Sequence, residues 1–377
     1  MRLLFLMQGT ETKDHCGHHD AFQKMQQEGI LEHYSVIPFY GFAREHGWDA
    51  FYNKVIDVCR KENITIVYFQ YFHGKSIASP VNCINELRRL KEPPLIVTSA
   101  GDPFSGNWRP PYYPKSFQVA SRMADLTFST QMGKCADKMV GWGAKNVILM
   151  PHSMCQVRFK PSNQVKARND FDVVFIGSAI KVRNIVSNYY YSAKKRFNMV
   201  KQMDKRYGKR FGLFGHNWNG MRSWQGPISF DKQYDTCQRG RLIFGGFPHS
   251  VADYYTSNRP FIAAGSGVPL VDLYVPGVEK ILRNDEHWYL VTEENILKKI
   301  DELLDTDPEA LREKAQNTRG YILEKHTNYE RMKNMLKICK EYVTTKNQQS
   351  FKPSLDYLLP EIDKNREIKY ATRLLVK

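Results

Sequence analysis

Histidine and carboxylate side chains gather in a loop near the start of the chain. The loop GTETKDHCGHHD (residues 9–20) follows an apolar run and contains His18 and His19. An imidazole takes up a proton near neutral pH, so either histidine could accept the proton of a reacting hydroxyl group. A metal site is a second interpretation, although the spacing fits no closed zinc set. A polar loop that caps the next helix is the third.

A second loop, SAGDPFSGNWRPPYYP (residues 99–114), carries an acid together with aromatic and basic side chains. Asp102 stands before a proline, where an Asx turn is the structural alternative to a catalytic role. Trp108, Arg109 and Tyr112 can stack on a sugar ring or on an exposed nucleobase. They could equally pack down as a proline-stiffened lid.

Glycine, hydroxyl and cationic residues suited to phosphate occur in the second half. The candidates that could contact such an anion are Gly177, Ser178, Lys181, Arg183, Ser257, Asn258 and Arg259. Cations and backbone N–H groups stabilise the negative charge of a phosphate. The small residues AAGSG (263–267) also predict a close approach of the backbone to a phosphate.

Strands and helices that would position these residues follow from the order of apolar runs. In the first half, runs such as residues 3–7 and 64–69 alternate with helical windows such as 48–61. This alternation predicts βαβ units and a parallel sheet, in which ligands bind at the carboxyl ends of the strands. In the second half, short apolar runs broken by Gly and Pro, including RPFIAA, predict buried parallel strands.

A length of 377 residues and a hydrophobic fraction of 42% predict two domains with real cores. The polar segment around residues 151–170 lacks a helical or strand period and is predicted to be a linker. We therefore predict an N-terminal domain at 1–155, a linker at 156–170, a C-terminal domain at 171–350 and a tail at 351–377.

The segment between residues 242 and 290 resembles a known family. Its order of TSNRPF, a small-Gly-x-Gly turn, PLVD, VPGVE and a helix is similar to the donor half of GT-B glycosyltransferases, closest to the CgeB-like group. The N-terminal half matches in layout only. The resemblance implies an α/β fold of GT-B type, with two Rossmann-like domains facing across a cleft and the tail crossing back to the N-terminal domain. An ordinary Rossmann-like half that binds another nucleotide is the alternative.

The same resemblance implies transfer of a sugar from a nucleotide sugar, with a UDP-sugar expected, to a hydroxyl group, and no tightly bound metal or cofactor. It makes Asp102 the first candidate base, followed by His18 or His19. The family usually has an acid directly after RPF to hold the donor ribose, and Ile262 stands there instead.

Other donor contacts are also implied by this resemblance. Either Asp272 or Glu279 would replace the missing acid at position 262, or the donor ribose would be contacted in a different way. Gly177 and Ser178 form the turn at which the family begins to bind the donor phosphate. His216 and Trp218 lie where such enzymes hold the nucleotide base, although Trp218 as a core residue is equally consistent with the sequence.

Positive charge is the strongest compositional feature, with a net charge of +16. It is densest in KKRFNMVKQMDKRYGKR (residues 194–210). The lysines predicted to contact an acceptor are Lys194, Lys195, Lys201, Lys205 and Lys209. A row of lysines can lie along phosphates, or it can simply be a solvated helix face.

Three kinds of partner are consistent with this charge. The first is DNA with hydroxymethylated pyrimidines, the acceptor of phage DNA glucosyltransferases, which are also GT-B proteins. The second is an envelope polysaccharide or lipid-linked acceptor at an anionic membrane surface. The third is nucleic acid bound by a non-catalytic module on the same fold, which the loss of the acid at Ile262 keeps open.

Seven scattered cysteines without a CxxC pair predict reduced thiols and a cytoplasmic protein, in the host cytoplasm if phage-encoded. No apolar run is long enough for a transmembrane segment.

Overall fold

The computed structural model describes residues 1–74, 76–101, 113–159, 169–180, 188–246 and 253–345. The described chain forms two compact units. Unit one holds the described residues of 1–151 together with 328–345, and unit two holds those of 152–327.

Unit one is built on a six-stranded sheet in which every neighbouring pair is parallel. Its strands are β1 (Arg2–Met7), β2 (His33–Pro38), β3 (Ile66–Phe69), β4 (Leu95–Ala100), β5 (Leu126–Ser129) and β6 (Val147–Leu149). Their order across the sheet is β2-β1-β3-β4-β5-β6. The alternation of runs and windows in the sequence predicts this parallel sheet, since parallel strands need crossover connections.

Helices connect these strands. They are α1 (Cys16–Gln27), α2 (Phe39–His46), α3 (Trp48–Lys61), α4 (Val81–Arg88), α5 (Lys115–Met123) and α6 (Lys134–Gly141). Helix α3 covers the window predicted at 48–61, because Phe51, Val55 and Cys59 recur at helical spacing and are all buried in the core of unit one.

Unit two has a five-stranded parallel sheet in the order β11-β10-β9-β7-β8. The strands are β7 (Phe171–Ile176), β8 (Phe211–Phe214), β9 (Gly240–Phe244), β10 (Leu270–Leu273) and β11 (Tyr289–Val291). The helices are α7 (Asn188–Tyr207), α8 (Gln233–Cys237), α9 (Arg259–Gly265), α10 (Ile296–Leu304) and α11 (Pro308–Lys325).

Helix α9 corrects one prediction, since its residues were expected to form a strand. Pro260 stands in its first turn, and every residue from Pro260 to Gly265 is buried. A short helix that is buried all round has no polar face, so its sequence shows no helical period and looks like a buried strand.

The C-terminal helix α12 (Asn328–Thr345) belongs to unit one, although the sequence places residues 171–350 in the second domain. Met332, Met335, Leu336 and Cys339 form its buried stripe, and the helix packs on α1. Such a stripe predicts that the helix buries one face but does not say against which domain. The predicted crossing of the tail at 351–377 lies outside the described residues.

Among the described helices, none has both the length and the apolar character needed to cross a bilayer.

Candidate functional site

Glycines line the carboxyl edge of the unit-two sheet. Gly177, Gly215 and Gly245 directly follow β7, β8 and β9, so parallel pairing brings them to one edge. A Cβ atom on Gly215 would lie 2.4 Å from the carbonyl oxygen of Gly177, and one on Gly245 would lie 2.1 Å from Oδ2 of Asp272. Side chains at these positions would collide with the neighbouring groups, so glycine is required for this close approach.

Arg259, the first residue of α9, extends over this edge. Its Nη1 atom donates a hydrogen bond to the carbonyl oxygen of Gly245 at 3.3 Å. Its Nη2 atom lies 3.6 Å from the position that a Cβ of Gly177 would occupy. The guanidinium therefore reaches the ends of two adjacent strands, β7 and β9. A guanidinium is always charged and presents its donors in a planar fork that suits phosphate.

Ser257 and Asn258 precede this arginine and are half-buried. The hydroxyl of Ser257 accepts the backbone N–H of Arg259 at 3.4 Å, so it helps to fix the start of α9. Asn258 is the residue that begins the helix, and its side chain makes no capping hydrogen bond to α9.

Two carboxylates occur near the same edge. Asp272 is 2% exposed, and its Oδ1 atom accepts the N–H of Leu273 at 2.8 Å, while its Oδ2 atom faces Gly245. Glu279 hydrogen-bonds Tyr274, the residue after β10. Burial, followed by the charge of Glu279, raises the pKa of Tyr274 to about 12. The Oε2 atom of Glu279 is buried and has no hydrogen-bond partner in the structure.

The apolar residue that replaces the expected acid is also explained by packing. Ile262 is 1% exposed, within helix α9, whose residues after Arg259 are all buried. A carboxylate in that position would be removed from water without a partner, which is costly.

The loop after β8 corrects the role predicted for Trp218. Its side chain is 1% exposed, and its indole N–H donates to the carbonyl oxygen of Gly177 at 2.6 Å. Trp218 therefore lies in the core and holds the turn after β7 rather than a ligand. His216 is exposed, and its backbone N–H donates to the hydroxyl of Ser178 at 3.1 Å.

Arg196 of α7 is a buried residue that also contacts the turn after β7. It is 3% exposed, and its Nη2 atom donates to the carbonyl oxygen of Ser178 at 2.9 Å. This role of Arg196 is not predictable from the sequence, because the residue lies in the middle of a basic run.

The phosphate-binding role predicted for AAGSG is wrong. The N–H groups of Ser266 and Gly267 bond to carbonyl oxygens of α9, so the end of this helix already uses them. A Cβ atom on Gly265 would lie 2.3 Å from Sδ of Met154. Close packing of α9, not ligand approach, accounts for these small residues.

In unit one, the two predicted histidines have different surroundings. Nδ1 of His19 lies 2.8 Å from the hydroxyl of Tyr34 on β2, and burial lowers the pKa of His19. His19 therefore serves the packing of α1 on β2. Nδ1 of His18 lies 3.0 Å from Nδ2 of Asn328 on α12.

Asp14 closes the loop in which these histidines lie. Its Oδ2 atom accepts the backbone N–H of Thr10 at 2.7 Å and that of Glu11 at 3.2 Å. The Thr10 hydrogen bond is the largest cause of the lowered pKa of Asp14.

Several predicted residues lie outside the described part of the chain. They are Asp102, Trp108, Arg109, Tyr112, Lys181 and Arg183.

All five predicted lysines of the basic run are exposed. Lys195 forms an ion pair with Glu293 at 2.9 Å. Lys201, Lys205 and Lys209, here named the basic face, make no ion pair with the described residues. Lys209 lies beyond the end of α7 in a 3-10 turn (Gly208–Arg210), so only Lys201 and Lys205 share the helical stripe.

Residues 195–337 match the family model described as glycosyl transferase-like. The matched segment includes Gly245, Arg259, Asp272 and Glu279, whereas Gly177 precedes it. None of the curated protein sequences matches this chain.

Solved structures share the whole fold at low sequence identity. A glycosyltransferase from Rickettsia africae has a TM-score of 0.55 at 11% identity, covering 93% of this chain and 99% of its own. Anabaena HepE in complex with UDP and glucose has a TM-score of 0.53 at 11% identity, covering 90% and 99%. A Listeria monocytogenes protein, proposed to be a UDP-N-acetylglucosamine 2-epimerase, has a TM-score of 0.52 at 12% identity, covering 94% and 98%.

These findings confirm the predicted fold class, which is α/β of GT-B type with two Rossmann-like domains. The matched family model also confirms the predicted enzyme class, a glycosyltransferase.

Proposed function

We propose that the protein transfers a sugar from a uridine diphosphate sugar to a hydroxyl group of an acceptor. The observation that carries this proposal is the guanidinium of Arg259, which spans the ends of β7 and β9 at the glycine edge. HepE, which holds UDP and glucose on a similar fold, supports the choice of nucleotide. Membership of the CgeB-like group is part of this proposal, supported by the TSNRPF to VPGVE segment.

The donor diphosphate would lie between Arg259 and the turn at Gly177 and Ser178. Negative charge grows on the diphosphate as the bond to the sugar breaks, and a fixed guanidinium stabilises that charge without rearrangement. The contacts from Trp218 and Arg196 to this turn hold it in place before the donor arrives. Lys181 and Arg183, four and six residues after Gly177, would contribute further positive charge.

The donor ribose would be bound by Glu279. A carboxylate accepts two hydroxyl groups well, and Oε2 of Glu279 has no partner of its own. The hydrogen bond to Tyr274 orients the carboxylate. Glu279 thus takes the place of the acid that Ile262 replaces. Asp272 accepts the backbone N–H of Leu273 and would instead keep a negative charge beside Gly245.

Asp102 remains the first candidate for accepting the proton of the acceptor hydroxyl, and His18 is the second. His18 can act as a base through Nε2 only in the tautomer that carries its proton on Nδ1. In that tautomer the side-chain amide oxygen of Asn328 must face Nδ1 to accept this proton. In the opposite arrangement the proton resides on Nε2, and His18 can only donate. An Asn328→Asp variant fixes the first arrangement.

The acceptor proposed is a hydroxymethylated pyrimidine in DNA. The net charge of +16 and the unpaired basic face support a polyanionic acceptor. A second candidate is a lipid-linked or polysaccharide acceptor at an anionic membrane. It is favoured by Phe197, an aromatic side chain on α7 that is 40% exposed and lies near the lysines in the sequence. Helices that bind membrane surfaces combine exposed aromatic and basic residues in this way.

Transfer from radiolabelled UDP-sugars to three acceptors tests the proposal. The acceptors are duplex DNA with hydroxymethylcytosine, the same DNA with cytosine, and liposomes with anionic lipids and lipid-linked saccharide. We expect label only on hydroxymethylated DNA, with DNA affinity falling steeply as salt rises. Label on the liposomes would replace the first acceptor by the second. Absence of both UDP binding and UDP release from every donor would contradict the enzyme proposal itself.

A further inference from the structure

Gln70 contains a buried donor that lacks a partner. It directly follows β3 and is 0% exposed. Its Oε1 atom accepts the N–H of Gln8, after β1, at 3.2 Å. Its Nε2 atom is buried and has no hydrogen-bond partner in the structure. Because an unpaired buried N–H group is costly, a ligand or an ordered water is expected to accept from it.

Tyr71, the next residue, has a strained backbone. Its φ is +44°, in the left-handed region that favours glycine or asparagine, and a large aromatic residue there is uncommon. The conformation is held by the hydroxyl of Ser99 on β4, which accepts the N–H of Tyr71 at 3.2 Å. Strained residues of this kind cluster at ligand sites, where the position of the side chain is required.

The ring of Tyr71 lies at the carboxyl edge of three adjacent strands. A Cβ atom on Gly101, after β4, would lie 3.3 Å from its Cδ1 atom, so glycine makes room for the ring. The ring of His15, from the loop after β1, lies 6.0 Å from it between centroids. The rings are half-buried. Tyr71 directly follows Gln70, and His15 comes after β1 as Gln8 does, so the three residues follow the adjacent strands β1 and β3. None of the three is a lysine or an arginine.

We propose that Gln70, Tyr71 and His15 form the acceptor subsite of unit one, and that it takes an uncharged ring that carries a hydroxyl group. The ring lies on the aromatic face of Tyr71, and one of its oxygen atoms accepts from the Gln70 amide, directly or through a water. The inference rests on the proposed function, because it assigns this group to the acceptor of that reaction. A pyranose and a hydroxymethylpyrimidine both have the required chemistry.

Binding of two small probes decides whether the subsite takes a pyrimidine or a saccharide. The probes are methyl glucoside and 5-hydroxymethyl-2′-deoxycytidine, each measured by ligand-detected NMR titration with and without UDP. We expect one of them to bind the wild-type protein. Binding of the nucleoside alone supports a pyrimidine acceptor, and binding of the glucoside alone supports a saccharide acceptor. If the wild-type protein binds neither, the subsite is refuted.

Two variants separate binding from folding. Tyr71→Asn removes the ring but suits the left-handed backbone, so we expect at least tenfold weaker probe binding with an unchanged or higher melting temperature. Gln70→Glu keeps the acceptor for the Gln8 N–H and removes the amide donor, so we expect at least fivefold weaker probe binding. UDP affinity should stay within twofold in both variants.

The matched control is Asn63, which has a φ of +47° and lies before the same strand, at its opposite end. Asn63→Tyr should lower the melting temperature and leave probe affinity unchanged. Tyr71→Asn that binds the probe like the wild type, or that only lowers stability, would show that Tyr71 is structural. A wild-type protein that does not bind UDP would contradict the proposed function. The probe titration without UDP would still show whether the subsite binds a ring.

Discussion

Removing the guanidinium of Arg259 should weaken UDP binding far more than it weakens the fold. Arg259 is half-buried, and its Nη1 atom donates to the carbonyl oxygen of Gly245 at 3.3 Å. Hydrogen bonds to charged groups contribute about 1.5–3 kcal/mol each. Since about 1.4 kcal/mol corresponds to a tenfold change in Kd, Arg259→Ala should raise the Kd of UDP by roughly 10- to 150-fold. Arg259→Lys retains the charge without the fork and should have an intermediate effect.

Isothermal titration with UDP, UMP and uridine measures this effect. Because the guanidinium is assigned to phosphate, the loss should be largest for UDP and absent for uridine. Arg241 is the matched control, since it lies on β9 and donates to the carbonyl oxygen of Leu304 at 2.9 Å, near the amino end of that strand. Arg241→Ala should leave the UDP affinity unchanged. Equal losses in both variants, or an Arg259→Ala protein that binds UDP within twofold of wild type, would refute the assignment.

Other expectations concern stability and charge. Burial lowers the pKa of His287 from 6.5 to about 4. The neutral imidazole therefore contributes its full stabilisation above pH 6.5, and the free energy of unfolding falls by up to about 3 kcal/mol as the pH drops to 4. Chemical denaturation should show a smaller loss over this pH range for His287→Asn, and a loss equal to that of the wild type would contradict the prediction. Alanine at all three positions of the basic face should reduce the slope of log affinity against log salt for DNA by about 2 to 3; an unchanged slope excludes this face from DNA binding. Gly245→Ala places a Cβ 2.1 Å from Oδ2 of Asp272, so it should cost about 1–3 kcal/mol in thermal unfolding and weaken UDP binding; a stable variant with normal affinity would contradict the close packing at this edge.

The sequence predicts the elements whose residue patterns are regular. Helix α3 was found at its predicted bounds because its apolar residues repeat at helical spacing. The first sheet is predicted because short apolar runs alternate with helical windows, and the strands of the second because short apolar runs are broken by Gly and Pro. Helix α9 was missed because it is buried on every side, and the domain to which α12 belongs could not be deduced from its stripe alone.

The candidate site was predicted unevenly, for a related reason. Arg259 was found because a family resemblance surrounds it. Trp218 was assigned to a ligand because a tryptophan in a glycine-rich loop has the same sequence signal in a core and in a binding site. Gln70 and Tyr71 were not considered, since a buried unpaired amide and a left-handed φ depend on neighbours from β1 and β4 that the sequence does not identify. Arg196 was hidden within a run of similar charges.

Helix α7 joins an outer and an inner surface through residues only a few positions apart. Arg196 donates to the turn after β7, and Phe197 stacks on Trp218 with the ring centroids 5.6 Å apart. Lys201 begins the basic face one turn later. Inserting a single residue between Phe197 and Lys201 would rotate the lysines by about 100° relative to Arg196. Insertions and deletions in this helix are therefore harmful even where substitution of an exposed lysine is not, and related chains should vary at the lysine positions while keeping the length of the helix constant.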